Sequence, residues 1–271
     1  MKQIFFLVMM LPGRESRGQQ IFFPAGHFPG KAYSGRHADV FSFQQNPAAL
    51  ASLKTPSAGM YTERKFSLKE LQFLNACFAL PAQGGGFGLA LSYEGSPLFH
   101  QMKTSLAYGR TVGKINAGLA FNYNTITIAG YGNTGAINAD AGIAWHLSDG
   151  LYTGIAVQSI SSQRFGKERQ EKFPGVYSFG LGYDVSDDLF ICLSVQKPAM
   201  RPVNISAGFH YNIVPAVAVD FGIMNATSAV YGIVSLKRKP GSLGIYTSYQ
   251  PQLGITPGLM LTADLRKEKL K

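Results

Sequence analysis

Charge is the first thing this sequence has little of. Asp, Glu, Lys and Arg make up 15% of its 271 residues, against about 25% in an ordinary soluble domain. Cysteine is nearly absent. Cys77 and Cys192 are the only two, which excludes a disulfide framework, and neither follows a leader where a lipid anchor would sit. Beyond the first few residues nothing approaches the run of about 18 apolar residues that a spanning helix needs, so a helical membrane protein is excluded. His27, His37, His100, His146 and His210 have no spacing that makes a metal site. Gly84-Gly85-Gly86 runs into Phe87 rather than a Lys-Ser/Thr pair, so no phosphate loop forms there. The formal net charge is +10, but the basic residues lie in turns and at the C-terminal end without a recognition motif around them. No nucleic-acid partner is expected, and no cofactor.

What the chain has in quantity is glycine, 31 residues, with 19 Phe and 13 Tyr. Their arrangement is regular. In Phe87-Gly88-Leu89-Ala90-Leu91-Ser92-Tyr93 the bulky residues take one face and the small ones the other. Ile115, Leu119, Phe121 and Tyr123 stand against Asn116, Gly118, Ala120 and Asn122, and Tyr177, Phe179 and Leu181 against Ser178, Gly180 and Gly182. A period of two marks strands with unlike faces. A soluble sandwich would hide its large residues and show water Lys, Glu and Thr. Here the second face is Gly, Ala, Ser and Asn, with isolated carboxylates at Asp140, Asp220 and Asp264. Large residues toward hydrocarbon and small polar ones toward a lumen describe a transmembrane barrel. Tyr93, Tyr108, Tyr123, Trp145, Tyr183, Tyr211 and Tyr249 fall near strand ends, where an aromatic girdle lies.

The expected fold is therefore all-β: a transmembrane antiparallel barrel of about fourteen strands with a short N-terminal helical plug. Residues 1–18, with Lys2 and the apolar run Ile4 to Leu11, read as an export signal; 19–56 read as the plug, 57–265 as the barrel and 266–271 as a basic periplasmic tail. In the plug, Asn46 is a good N-cap and Pro47 suits the first helical turn, where its missing N–H costs nothing. Ala48 to Leu50 favour a short helix, which Thr55-Pro56 ends. An even strand count puts both barrel ends on one side and sorts the connections. Tight turns are expected at Leu80–Gly84, Arg110–Lys114, Leu147–Gly150, Asp184–Asp187, Ile213–Pro215 and Lys237–Gly241. Longer outer loops are expected at Ile126–Gly135, Ser161–Pro174 and Gln250–Thr256.

Three groups of polar residues are candidates for function. Asp140, Asp220 and Asp264 either line a polar path through the lumen or pair with plug or wall arginines. Arg164, Lys167, Arg169 and Lys172, in the longest outer loop, either meet lipopolysaccharide phosphates or stand solvated. At the other side Lys237, Arg238, Lys239, Arg266, Lys267, Lys269 and Lys271 are expected to face lipid head groups or a periplasmic partner. For catalysis, His146 beside Ser148 is the one conceivable start of a lipid hydrolase. No catalytic residue is assigned.

An export signal, then a plug-like segment with Ala38, Asp39 and Asn46-Pro47-Ala48, then a long run of strands, resembles the FadL-like outer-membrane barrels. Among these it is most similar to the PorV and PorQ proteins of Bacteroidetes, associated with type IX secretion. The resemblance implies that Asn46, Pro47 and Ala48 hold the turn of a hatch folded inside the barrel. It implies a non-enzymatic, multi-pass protein of the bacterial outer membrane, in contact with its lipid and working with a secretion or surface-protein partner. The alternative that it implies is passive transport of hydrophobic small molecules. The chain departs from fatty-acid transporters of this type in its modest outer loops, and it lacks a terminal aromatic residue.

Overall fold

The computed structural model describes residues 29–162, 175–199 and 201–265. The export signal, the first part of the plug, the four cations of the longest loop and the basic tail lie outside these residues. Seven strands form the first half of the barrel: β1 (Ser57–Arg64), β2 (Gln72–Ala82), β3 (Gly85–Gly95), β4 (Phe99–Val112), β5 (Ile115–Ile128), β6 (Gly132–His146) and β7 (Leu151–Ser162). The second half is β8 (Val176–Asp184), β9 (Leu189–Pro198), β10 (Asn204–Val214), β11 (Val217–Met224), β12 (Ala229–Arg238), β13 (Gly241–Gln250) and β14 (Gly254–Asp264). Each strand pairs antiparallel with the next. β14 returns to β1, with Ser57 opposite Asp264, and closes the ring. Closure leaves no free edge, which a sheet in hydrocarbon cannot tolerate.

The alternation seen in the sequence sets which way each side chain points. Leu89, Leu106, Leu119, Phe121, Ile143, Phe179, Ile245 and Leu259 are exposed on the outside, while Ala90, Ala107, Ala120, Asn122 and Ser178 are buried on the inside. A surface so rich in exposed aliphatic side chains is stable only against lipid. Tyr108, Trp145, Tyr183 and Tyr211 ring one end of this apolar belt, and Tyr93, Tyr123, Tyr177 and Tyr249 the other. Phe121, 61% exposed at mid-strand, is a direct probe. Phe121→Arg is expected to destabilise the barrel by about 2–4 kcal/mol, the usual cost of a cation at the bilayer midplane, read by denaturant unfolding in lipid vesicles.

The connections sort by side, with one correction. On the side that carries both barrel ends the turns are residues 83–84, 113–114, 147–150, 185–188, 215–216 and 239–240. On the opposite side two of the expected long loops are tight. β5 runs to Ile128 and β6 starts at Gly132, leaving residues 129–131; β13 to β14 leaves 251–253. Thr125, Ile126, Thr127 and Ile128 are β-branched and extend the ladder, and Gly130 and Gly132 turn the chain at positive φ, +79° and +98°. β2 also runs into the turn expected at Leu80–Gly84. Lys65–Ser67 and Lys69–Leu71 are 3-10 turns, and β2 continues through Pro81 to Ala82.

The lumen is filled from the side of the short turns. Residues 29–53 enter the barrel as three 3-10 turns, Pro29–Tyr33, Ser42–Gln44 and Pro47–Ser52. Val40, Phe41, Phe43 and Leu50 from this segment pack with Tyr61, Phe73, Tyr231, Ile233, Tyr246 and Met260 of the wall into one buried cluster.

Candidate functional site

The contact between this inner segment, or hatch, and the wall is the most elaborated part of the molecule. Its floor is a row of glycines. Gly86 lies opposite Gly109, Gly109 opposite Gly118, and Gly118 opposite Gly142, so that β3 to β6 each give one glycine at the same level. The turn Pro47–Ser52 rests on them. A Cβ on Gly118 would stand 2.3 Å from the Pro47 carbonyl carbon, one on Gly109 2.7 Å from the Pro47 oxygen, and one on Gly142 2.0 Å from Asn46 Oδ1. At Gly86, Gly109 and Gly118 backbone meets backbone, and only glycine permits it. A second socket, at Gly154 and Gly180, takes the Tyr33 ring. Sequence reading placed Gly118 and Gly180 on the lumen face but did not see that register lines such glycines up.

The turn that rests on this floor is capped as its residue types dictate. Asn46 Oδ1 accepts the Ala48 N–H at 3.0 Å, and its Nδ2 donates to the Ile143 carbonyl of β6 at 3.3 Å. One side chain thus ends a helix and ties it to the wall. Pro47 occupies the first helical position, and Ala48 is fully buried. Asp39 organises the preceding bend. Its Oδ1 accepts from the Phe41 N–H at 3.0 Å and the Ser42 hydroxyl at 2.9 Å.

An ion pair locks the other end of the hatch. Lys31 Nζ lies 3.2 Å from Asp220 Oδ1 on β11 and 3.7 Å from Asp39 Oδ2. Asp220 is wholly buried, and its Oδ1 also meets His210 Nδ1 of β10 at 2.7 Å. His210 Nε2 faces Asn212 Oδ1 at 3.2 Å, an oxygen that also accepts from Lys237 Nζ at 2.5 Å. Burial alone would lower the Lys31 pKa, but Asp220 and Asp39 outweigh it and hold the ammonium above its ordinary value. The hatch is clamped by a charged pair taken out of water.

The other carboxylates of the lumen reading have separate places. Asp140 sits in the wall. Its Oδ2 accepts from Asn122 Nδ2 at 2.8 Å and lies 3.7 Å from Lys103 Nζ, and its Oδ1 accepts the Ser159 N–H at 2.8 Å. Ser159 has φ of +57° and marks the place where the β6–β7 register shifts, so Asp140 braces a bulge. Asp264 is exposed at the rim, its Oδ1 3.4 Å from the Thr55 hydroxyl, rather than within the lumen. Cys77 and Cys192 are free. No hydrogen bond joins His146 to Ser148 among the described residues; His146 Nε2 instead lies 3.3 Å from Asn116 Nδ2. Arg164, Lys167, Arg169 and Lys172 fall outside the described residues.

A closed barrel of fourteen antiparallel strands with an apolar outside has the fold of a multi-pass bacterial outer-membrane barrel. A hatch inserted from the short-turn side fills its lumen. No family model and no curated protein matches the chain. Solved structures do. It is similar to the toluene transporter TodX of Pseudomonas putida, with a TM-score of 0.61 and 8% identity over 90% of this chain and 98% of that one. The toluene transporter TbuX of Ralstonia pickettii gives 0.62 and 10% identity over 84% and 94%. A FadL homologue of Pseudomonas aeruginosa gives 0.63 and 10% identity over 88% and 96%. At these identities the likeness is one of fold.

Proposed function

We propose that the chain is a non-enzymatic outer-membrane channel for the passive passage of hydrophobic small molecules. The observation that carries this reading is the apolar seam between hatch and wall. Val40, Phe41, Phe43 and Leu50 meet Tyr61, Phe73, Tyr231, Ile233, Tyr246 and Met260, so a shift of the hatch along that seam uncovers an apolar lining. An apolar solute entering such a lining leaves water, which is favourable at about 25 cal/mol per Å²; an ion gains nothing there. The β6–β7 bulge, where Gln158 Nε2 donates to the hatch carbonyl of Gln44 at 2.9 Å, is the natural place for a side opening coupled to the hatch. The barrels of similar fold described as toluene transporters support the same substrate class. Cells carrying the protein in their outer membrane are expected to take up radiolabelled toluene faster than cells carrying the empty vector. Equal uptake, with the barrel shown to be folded, overturns the reading.

A second reading is that the barrel serves as a PorV/PorQ-like subunit of a secretion or surface-display system. It is favoured by the tight outer connections at 96–98, 129–131 and 251–253, which offer little to capture a ligand. Copurification of a stoichiometric protein partner from native membranes is its test.

A further inference from the structure

Beside the Lys31–Asp220 clamp lies a cavity of about 220 Å³ between hatch and wall, lined by Lys31, Arg36, His37, His210 and Lys237 with Asp39 as its one acid. Two further cavities of about 350 Å³ each share Thr262 with it and continue it toward the short-turn mouth. The nitrogen groups of this lining are not equally matched. Lys31 and His210 have Asp220, and Arg36 has Asp187. Lys237, by contrast, donates to the neutral Asn212 amide, and among the described residues no carboxylate pairs with it. The His37 side chain is only 7% exposed, and its Nε2 makes no hydrogen bond; the nearest carboxylate oxygen, on Asp184, is 4.0 Å away. Its ring lies 4.9 Å from that of His210. Burial first, and then His210, Lys31 and Lys237, push its pKa down to about 4. A residue with an orphaned buried nitrogen and an underpaired ammonium thus border one cavity.

We propose that this cavity is an anion site for a phosphate-type group, which fastens the hatch (Arg36, His37) to the wall (Lys237). The volume suits it: at about 30 Å³ per water, the space holds a tetrahedral oxyanion with some of its hydration. Oxyanion acceptors match ammonium and imidazole donors, and an ammonium–oxyanion pair is stronger than the ammonium–amide bond that Lys237 now makes. The site sits inside the mouth, within reach of a soluble phosphate or of a phosphate borne by a lipid head group. The inference is independent of the transport reading.

The test is hydrogen exchange of hatch residues 29–53 in the full-length protein in non-ionic detergent, with inorganic phosphate against sodium chloride at matched ionic strength. Phosphate at ten times its dissociation constant is expected to slow exchange about tenfold, by mass action on the closed state. Lys237→Gln and, separately, His37→Leu are expected to abolish the protection. Equal exchange in phosphate and chloride, in the absence of any effect of phosphatidylglycerol, overturns the proposal, and so does full protection in both variants. Vesicles containing phosphatidylglycerol, compared with phosphatidylcholine alone in phosphate-free buffer, separate the sources. Protection there assigns the site to a head group, and protection by inorganic phosphate alone assigns it to a soluble anion.

Discussion

Gly118→Val is expected to unseat the hatch while leaving the barrel standing. The two effects separate because the substitution suits the strand and offends only what lies on it. Valine is a better strand residue than glycine, and β5 is paired on both sides along its whole length. A Cβ at Gly118, however, would lie 2.3 Å from the Pro47 carbonyl carbon, 2.5 Å from the Ala48 nitrogen and 2.6 Å from the Pro47 oxygen. All three are backbone atoms of a capped turn, so no side chain can swing aside. Retreat is costly as well, because Asn46 would lose its bond to the Ile143 carbonyl. Overpacking of this kind costs about 1–3 kcal/mol, which speeds hydrogen exchange across residues 29–53 about ten- to hundredfold. Conductance across planar bilayers should rise with it. A variant whose hatch exchange and conductance match the wild type would show that the glycine row is not the seat. Loss of heat-modifiable migration on gels would show instead that the barrel itself had failed.

Much of this architecture was legible in the sequence, and the reason is the barrel. Both faces of every strand carry a period-two signal, so Phe87 to Tyr93 or Ile115 to Tyr123 fix inside and outside without any knowledge of neighbours. The fourteen strands and the side on which they begin and end follow from that alternation. The Asn46-Pro47 start of the hatch turn is local too, because capping acts over two or three residues. Strand ends were less visible. Ile126 to Ile128 and Gly132 to Gly135 read as loop, because a tight glycine turn and a loose one share a composition. What the sequence could not disclose was anything made by register. Gly86, Gly109, Gly118 and Gly142 form one floor only because successive strands pair at those residues. Lys31 lies 189 positions from Asp220. Asp220 was singled out as a lumen carboxylate, but its partner was sought among arginines, and Lys31 was passed over in a stretch with no clean period.

Asp220→Asn is expected to have the larger effect at the other end of the hatch, and the ranking among variants is the sharper test. The carboxylate serves two partners, the Lys31 ammonium at 3.2 Å and the His210 ring nitrogen at 2.7 Å, and is wholly buried. Neutralising it strands both. Lys31 keeps Asp39 at 3.7 Å, while His210 Nδ1 is left against an amide. Removing one member of a buried charged set costs about 3–5 kcal/mol, chiefly because the survivors remain out of water. Hatch exchange should therefore accelerate by roughly two to three orders of magnitude. Lys31→Met should cost less, since Asp220 retains His210 and the methionine fills the same apolar passage. The double variant should fall short of the sum of the two, by about 0.5–3 kcal/mol for groups in direct contact. The measurement is exchange over residues 29–53 with barrel amides as internal control. Hatch exchange unchanged in both single variants, or strict additivity in the double variant, would mean that the hatch is held by its glycine floor and apolar seam alone. The ion pair would then be a passenger of the fold rather than its latch.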